Sequence, residues 1–255
     1  MRFVAIILFA LTTFTVQAAE SLVQLDIGRG EARLPLYVMT TPKATATLIL
    51  LPGGNGELSR GPDGKPTGLN FLTRSNDLFH AENFNTIAVY RASDLKDMDD
   101  KDRIDAKHVA ELEKVLAYAK KEFGKPVWLI GNNRGTISAT AAAVALGEAS
   151  MQGLVLTSSV TSRKVGAVPT QNIASLKMPI LVVHHKNDAC KNCVPQEARQ
   201  MFASLKGATH KKLLMIEGGS KAEGDPCRGT HWNGFVNYEK ETVKAIADWI
   251  RLDKN

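Results

Sequence analysis

Residues Gly131-Asn132-Asn133-Arg134-Gly135 sit between an apolar run, Val127 to Ile130, and a small-residue helical stretch. A strand, a tight turn with glycine on both flanks and then a helix is the frame in which acyl-transfer enzymes lift a nucleophile above a sheet edge. Here the central residue is Asn133. Two later stretches hold groups suited to proton transfer: Asp188 in "VVHHKND" and His231 in "RGTHWNGF". Elbow, carboxylate and histidine thus follow one another in the order in which one large group of triad hydrolases carries its nucleophile, acid and base. A fourth stretch, "LLPGGNG", has glycines that let backbone N–H groups turn toward a developing oxyanion.

A carboxamide has no proton whose removal gives an alkoxide-like nucleophile, so ordinary triad hydrolysis is not expected of Asn133. Asn does tolerate the positive φ that an elbow imposes, which makes a kept turn with lost chemistry the leading expectation. Three other readings stay open. His231 braced by Asp188 could activate a water, with Asn133 as a polar positioner. Asn133 could deamidate to a carboxylate nucleophile, although Arg134 after it does not favour this. Ser158 or Ser159, which follow a strand, could attack instead, yet hydroxyls there more commonly satisfy backbone groups.

These residues need a scaffold that brings loops together. Leu22 to Ile27 and Leu34 to Met39 read as a pair of strands, followed by nearly continuous apolar runs at 46–51, 85–90, 127–130, 154–156, 180–183 and 213–216. Helical patterns lie at 73–80, 105–123, 135–146, 195–205 and 238–252; the second of these ends at Gly124 and Pro126. Strands separated by helices need crossover connections, which predicts an α/β fold with a mostly parallel sheet covered on both faces. Ligands of such sheets bind beyond the carboxyl ends of the strands, where all four stretches fall. Only about 20 residues separate Ser158 from Pro179, too few for a lid domain. The loop 56–69 is the most irregular segment.

The chain has 255 residues, 44% of them hydrophobic, which suits one domain with a sizeable core. Residues 1–19 combine Arg2, an apolar stretch and "VQAA", the layout of a cleaved secretory signal, leaving 20–255 as the mature domain in the periplasm or outside the cell. No later segment is long and apolar enough to span a bilayer, so no stable membrane insertion is expected after cleavage. The formal net charge of +6 is spread along the chain and mixed with acids, which speaks against a nucleic-acid partner. His184 and His185 end a buried run and are expected to make structural hydrogen bonds. Arg134 opens a helix, where a cation opposes the macrodipole, so a partner is implied, a nearby carboxylate of the protein or an acidic group of a ligand.

The segments "PVWLIGNNRGTISA", "LVLTSSVT", "PILVVHHKNDAC" and "GDPCRGTHWNGF" resemble small exported bacterial α/β-hydrolases whose elbow reads G-x-S-R-G-T. The resemblance spans roughly residues 45–249 and implies an α/β-hydrolase fold, an acyl ester or related small-molecule substrate class and no cofactor. It places acid and base at Asp188 and His231, and the oxyanion donors at the N–H of Arg134 with Gly54 or Asn55. The nucleophile does not carry over, because Asn133 stands where the family has serine. A non-catalytic binding or interaction protein using the same cleft is the alternative. Of three cysteines, Cys190 is expected to bridge Cys227 and so tie the acid loop to the histidine loop, with Cys190–Cys193 as the rival bridge. "HHKNDACKNC" lacks a second ligand pair at zinc spacing, so no metal is expected.

Overall fold

A computed structural model describes residues 19–252; the expected signal segment therefore lies, but for Ala19, outside the described residues. Eight strands form one sheet: β1 (Ala19–Asp26), β2 (Arg33–Thr40), β3 (Thr47–Leu51), β6 (Asn85–Val89), β7 (Val127–Asn132), β8 (Gly153–Thr157), β9 (Ile180–His185) and β10 (Lys211–Ile216). Two short strands, β4 (Ser59–Arg60) and β5 (Pro66–Thr67), pair with each other in the segment read as an irregular loop. The helices are α1 (Phe71–Arg74), α2 (Asn76–Ala81), α3 (Ala106–Phe123), α4 (Gly135–Leu146), α5 (Pro195–Ser204) and α6 (Glu239–Leu252). The single helix expected over 73–80 is thus two pieces, separated at Ser75 by a non-helical ψ of 7°.

The sheet runs β1-β2-β6-β3-β7-β8-β9-β10. The first two strands are antiparallel to their neighbours, and the rest are parallel. Each central strand sends alternate side chains to opposite cores, as the two-residue period of a strand requires. Ile49, Leu129 and Val182 point to the face covered by α3, α4 and α5, against Leu112, Ala139 and Met201. Leu50, Trp128 and Leu181 point to the other face, against Phe71 and Phe79 of α1–α2 and Ile246 and Trp249 of α6. With both faces buried, these strands could only read as unbroken apolar runs.

After β3 the chain crosses to β6 on one side; after α3 it returns to β7 on the other side of β3. That reversal opens a crevice between the loops leaving β3 and β7, the place where open α/β sheets bind ligands. Asp105 caps α3 by accepting from the Lys107 N–H, and Gly124 ends it with φ 56°. Between β8 and β9 the described chain holds two short 3₁₀ turns, Val168–Thr170 and Ile173–Ser175, and no lid.

Candidate functional site

The turn after β7 has the predicted elbow geometry. Asn133 takes φ 51°, and the glycines on its flanks are dictated by packing. A Cβ on Gly131 would lie 2.6 Å from the Gly135 carbonyl oxygen, and one on Gly135 would lie 1.7 Å from that of Leu51. The Asn133 carbonyl oxygen accepts from the Thr136 N–H at 2.9 Å and from its hydroxyl at 2.6 Å, which locks the turn onto α4. The loop after β3 presses against it so closely that a Cβ on Gly53 would stand 3.1 Å from Cβ of Asn133.

The carboxamide of Asn133 is fully engaged. Its oxygen accepts from the Arg134 N–H at 2.7 Å, and its Nδ2 donates to Oδ1 of Asn233 at 2.7 Å, with the Cys193 sulfur at 3.6 Å. Asn233 in turn donates from Nδ2 to Oδ2 of Asp188 at 2.8 Å, and Oδ1 of Asp188 accepts from the Cys190 N–H at 2.9 Å. A continuous chain of hydrogen bonds therefore runs from the elbow to the carboxylate, and its middle member is Asn233.

The expectation placed on His231 is corrected here. Among the described residues, no hydrogen bond or ion pair joins His231 to Asp188 or Asn133. The 3₁₀ turn Trp232–Gly234 rotates the chain, so that Asn233 is buried and points at Asp188. His231 precedes that turn, half-buried, with its ring 6.1 Å edge-on from Trp232 and its Nδ1 without a partner. The turn is held from α1: Arg74 donates from Nη2 to the carbonyl oxygens of Gly229 and Gly234 at 2.8 and 2.9 Å and pairs with Glu239. The tight packing of Gly229, where a Cβ would lie 1.4 Å from the Leu69 carbonyl oxygen, leaves the loop one path. Sequence reasoning passed over Asn233 because "THWNGF" offers both His and Asn, and only the direction of the turn decides between them.

The remaining predicted residues are placed as follows. The Arg134 N–H, expected as an oxyanion donor, is at the site but is taken by the Asn133 side chain. Gly54, with φ 72°, aims its carbonyl oxygen at Nη2 of Arg103 (3.2 Å) and Nη1 of Arg134 (3.3 Å). Asn55 exchanges hydrogen bonds with Glu57. The partner implied for Arg134 is the carboxylate of Asp100, at 2.6 Å from Nε, with Lys164 at 3.5 Å on its other oxygen. Cys190 is bonded to Cys227, not to Cys193; the free thiol of Cys193 is buried beside the relay, and burial followed by the charge of Asp188 pushes its pKa far up.

Burial pushes the carboxyl of Asp188 up to about 7, against the lowering effect of the Cys190 N–H and Asn233. Burial also holds His184 down to about 3, so its ring is neutral; Nε2 accepts from the Ser159 N–H at 2.8 Å. His185 stacks on Trp232 at 4.6 Å and bonds Gly218 through Nε2 at 2.9 Å. Ser158 (φ 44°) and Ser159 are sealed from solvent, their hydroxyls have no partner, and neither lines the cleft. No cluster of three or more metal-ligating side chains exists among the described residues.

The cleft above the relay has a volume of about 820 Å³ and is lined by Gly54, Tyr90, Asn133, Arg134, Lys164 and Arg228 among others. Its cations face Glu57, Asp97 and Asp100, so it carries little net charge.

No known protein family matches the chain by sequence, and no curated protein does either. Comparison of folds gives clear structural matches. An α/β serine hydrolase homologue from Coxiella burnetii superposes with a TM-score of 0.60 at 13% identity, covering 92% of this chain and 99% of that one. The dienelactone hydrolase of Anabaena variabilis gives 0.64 at 14% identity, covering 92% and 98%. The esterase Pf2001 of Pyrococcus furiosus gives 0.63 at 12% identity, covering 92% and 90%. The chain has the α/β-hydrolase fold, with a mostly parallel eight-stranded sheet flanked by helices.

Proposed function

We propose that this chain is an exported protein of the α/β-hydrolase fold that does not carry out serine-type acyl hydrolysis and instead binds a small ligand in the cleft. The observation that carries the reading is the relay Asn133–Asn233–Asp188, a hydrogen-bonded chain that leads from the elbow to a carboxylate through two carboxamides. Neither carboxamide can be deprotonated at useful pH or hold a proton in transit, so nothing in the relay can generate an oxyanion nucleophile. Among the described residues the Asp188 carboxylate bonds the Cys190 N–H and Asn233 and not His231, whose Nδ1 has no partner, so a water-activating His231 would lack a carboxylate brace. Export is supported by the composition of residues 1–19 and by a disulfide, a bond that persists in oxidising compartments.

The test is an assay of the mature chain with p-nitrophenyl acetate and with a fluorophosphonate probe. We expect hydrolysis equal to that of a His231→Ala variant and no labelled serine. Wild-type hydrolysis that disappears in His231→Ala would overturn the reading, as would labelling at Ser158 or Ser159.

A further inference from the structure

The relay beneath the cleft has a direction. Asp188 accepts from Asn233, Asn233 accepts from Asn133, and Asn133 accepts from the Arg134 N–H. Each carboxamide has a donor end and an acceptor end, so the orientation of one fixes the next. Both termini agree: a carboxylate that can only accept lies at one end, and a backbone N–H that can only donate lies at the other. The N–H so covered opens α4, a helix of 12 residues, and faces the cleft where a ligand oxygen would sit.

We infer that the Asn133–Asn233–Asp188 chain is a proton-driven gate: a proton on Asp188 reverses both carboxamides and uncovers the Arg134 N–H for an acceptor oxygen of the ligand. Oδ1 of Asp188 is held by the Cys190 N–H and Oδ2 by Nδ2 of Asn233. A proton on Oδ2 makes that oxygen a new buried donor that needs an acceptor, and the Asn233 carboxamide oxygen supplies one if the group rotates. The Cys190 N–H is main chain beside a disulfide and cannot turn away, whereas the Asn233 carboxamide can rotate. Once rotated, Asn233 accepts from Asp188 through Oδ1 and presents Nδ2 to Asn133. Asn133 must then turn its oxygen toward Asn233, which points its NH₂ at the Arg134 N–H, donor against donor. The bond capping that N–H is lost, and the repulsion between the two donors lets a ligand carbonyl or carboxylate oxygen displace that NH₂ and accept from Arg134.

The surroundings of Asp188 let the proton act alone. Among the described residues, no cation forms an ion pair with Asp188. Cys193, packed against the relay, stays a thiol because its pKa lies far above neutrality. From β9, the His185 carbonyl oxygen accepts from the Asp188 N–H at 3.2 Å, and burial lowers the pKa of the His185 ring. His184 is neutral. Burial pushes the Asp188 carboxyl up to about 7, within the range an exported protein meets.

This gate is a form of regulation of the proposed binding site and rests on that reading, but its test needs neither ligand nor turnover. Amide NMR of the mature chain would follow the Arg134 N–H and the side-chain NH₂ groups of Asn133 and Asn233 from about pH 8 to about pH 6, with the Asp188 carboxyl carbon as the reference titration. We expect the Arg134 proton to move upfield with the Asp188 midpoint. Its exchange rate, corrected for the intrinsic pH effect, should rise on the order of tenfold, the factor for a lost hydrogen bond of about 1.4 kcal/mol. In Asp188→Asn the signal should no longer follow pH. In Asn233→Ala, Asp188 should still titrate while Arg134 fails to respond. An Arg134 signal that stays fixed while Asp188 titrates overturns the gate. So does an Arg134 signal that moves equally in Asn233→Ala, and so does an Asp188 that keeps its charge throughout. Esterase activity would instead strike at the binding reading, so the two failures are distinct.

Discussion

Replacing both Asn133 by Ser and Asn233 by His is expected to raise p-nitrophenyl acetate hydrolysis on the order of 10³-fold over the natural chain, about what a positioned general base contributes. Each single substitution should stay within roughly tenfold of it, because the members of a triad act as a unit and supply little alone. The scaffold for the pair is present: residue 133 stands on an elbow, residue 233 faces it at 2.7 Å, and Asp188 lies behind residue 233 at 2.8 Å. Asn133→Ser has a further consequence, since it removes the carboxamide oxygen that covers the Arg134 N–H and so restores an oxyanion donor. Initial rates of the four proteins check this. If Asn133→Ser alone were as active as the double variant, a base other than residue 233 would be at work. His231 would then be the group to test next.

The sheet was legible because burial on both faces leaves its mark in composition. Runs such as "ATLILL" and "PILVVHH" cannot belong to a half-exposed strand, and the eight predicted runs are the eight strands of the sheet. The small hairpin β4–β5 was not legible, since two-residue strands carry no periodicity to read. At the site, the elbow could be seen in sequence because Gly131 and Gly135 are sterically compelled. The Cys190–Cys227 bridge followed from which loops leave the same sheet edge. Asn233 did not follow from anything local. Its inward direction depends on Arg74, far away in the chain, clamping Gly229 and Gly234, and no one-dimensional pattern records that contact. An asparagine beside a histidine also carries no chemical signal of its own.

Serine facing histidine in the double variant would be a donor facing an acceptor, as Asn133 facing Asn233 is in the natural chain. A lone asparagine at either position would leave the partner's polar atoms to find new bonds inside a buried site, at a cost of about 1–3 kcal/mol for each group left unpaired. The relay as it stands leaves none of its carboxamide or carboxylate groups without a partner.

Loss of the Cys190–Cys227 bridge is expected to lower stability by about 4 kcal/mol, from the loop-closure entropy of a 37-residue separation. For a domain of this size that corresponds to a fall in Tm of roughly 8–16 °C. The bridge joins the segment after β9, which carries Asp188, to the segment that carries Asn233, and the Cys190 N–H is itself a partner of Asp188. Its removal should therefore loosen the relay before the domain unfolds, exposing the Arg134 N–H to exchange at every pH. Thermal unfolding of the natural chain with and without reductant, beside Cys190→Ala/Cys227→Ala, measures the first effect. Amide exchange at Arg134 in the same samples measures the second. Cys193→Ala keeps the bridge and should remain sensitive to reductant. If reduction left both Tm and Arg134 protection unchanged, the two loops would be held by packing alone, with Arg74 and the glycines of the 229–234 turn sufficient to aim Asn233 at Asp188.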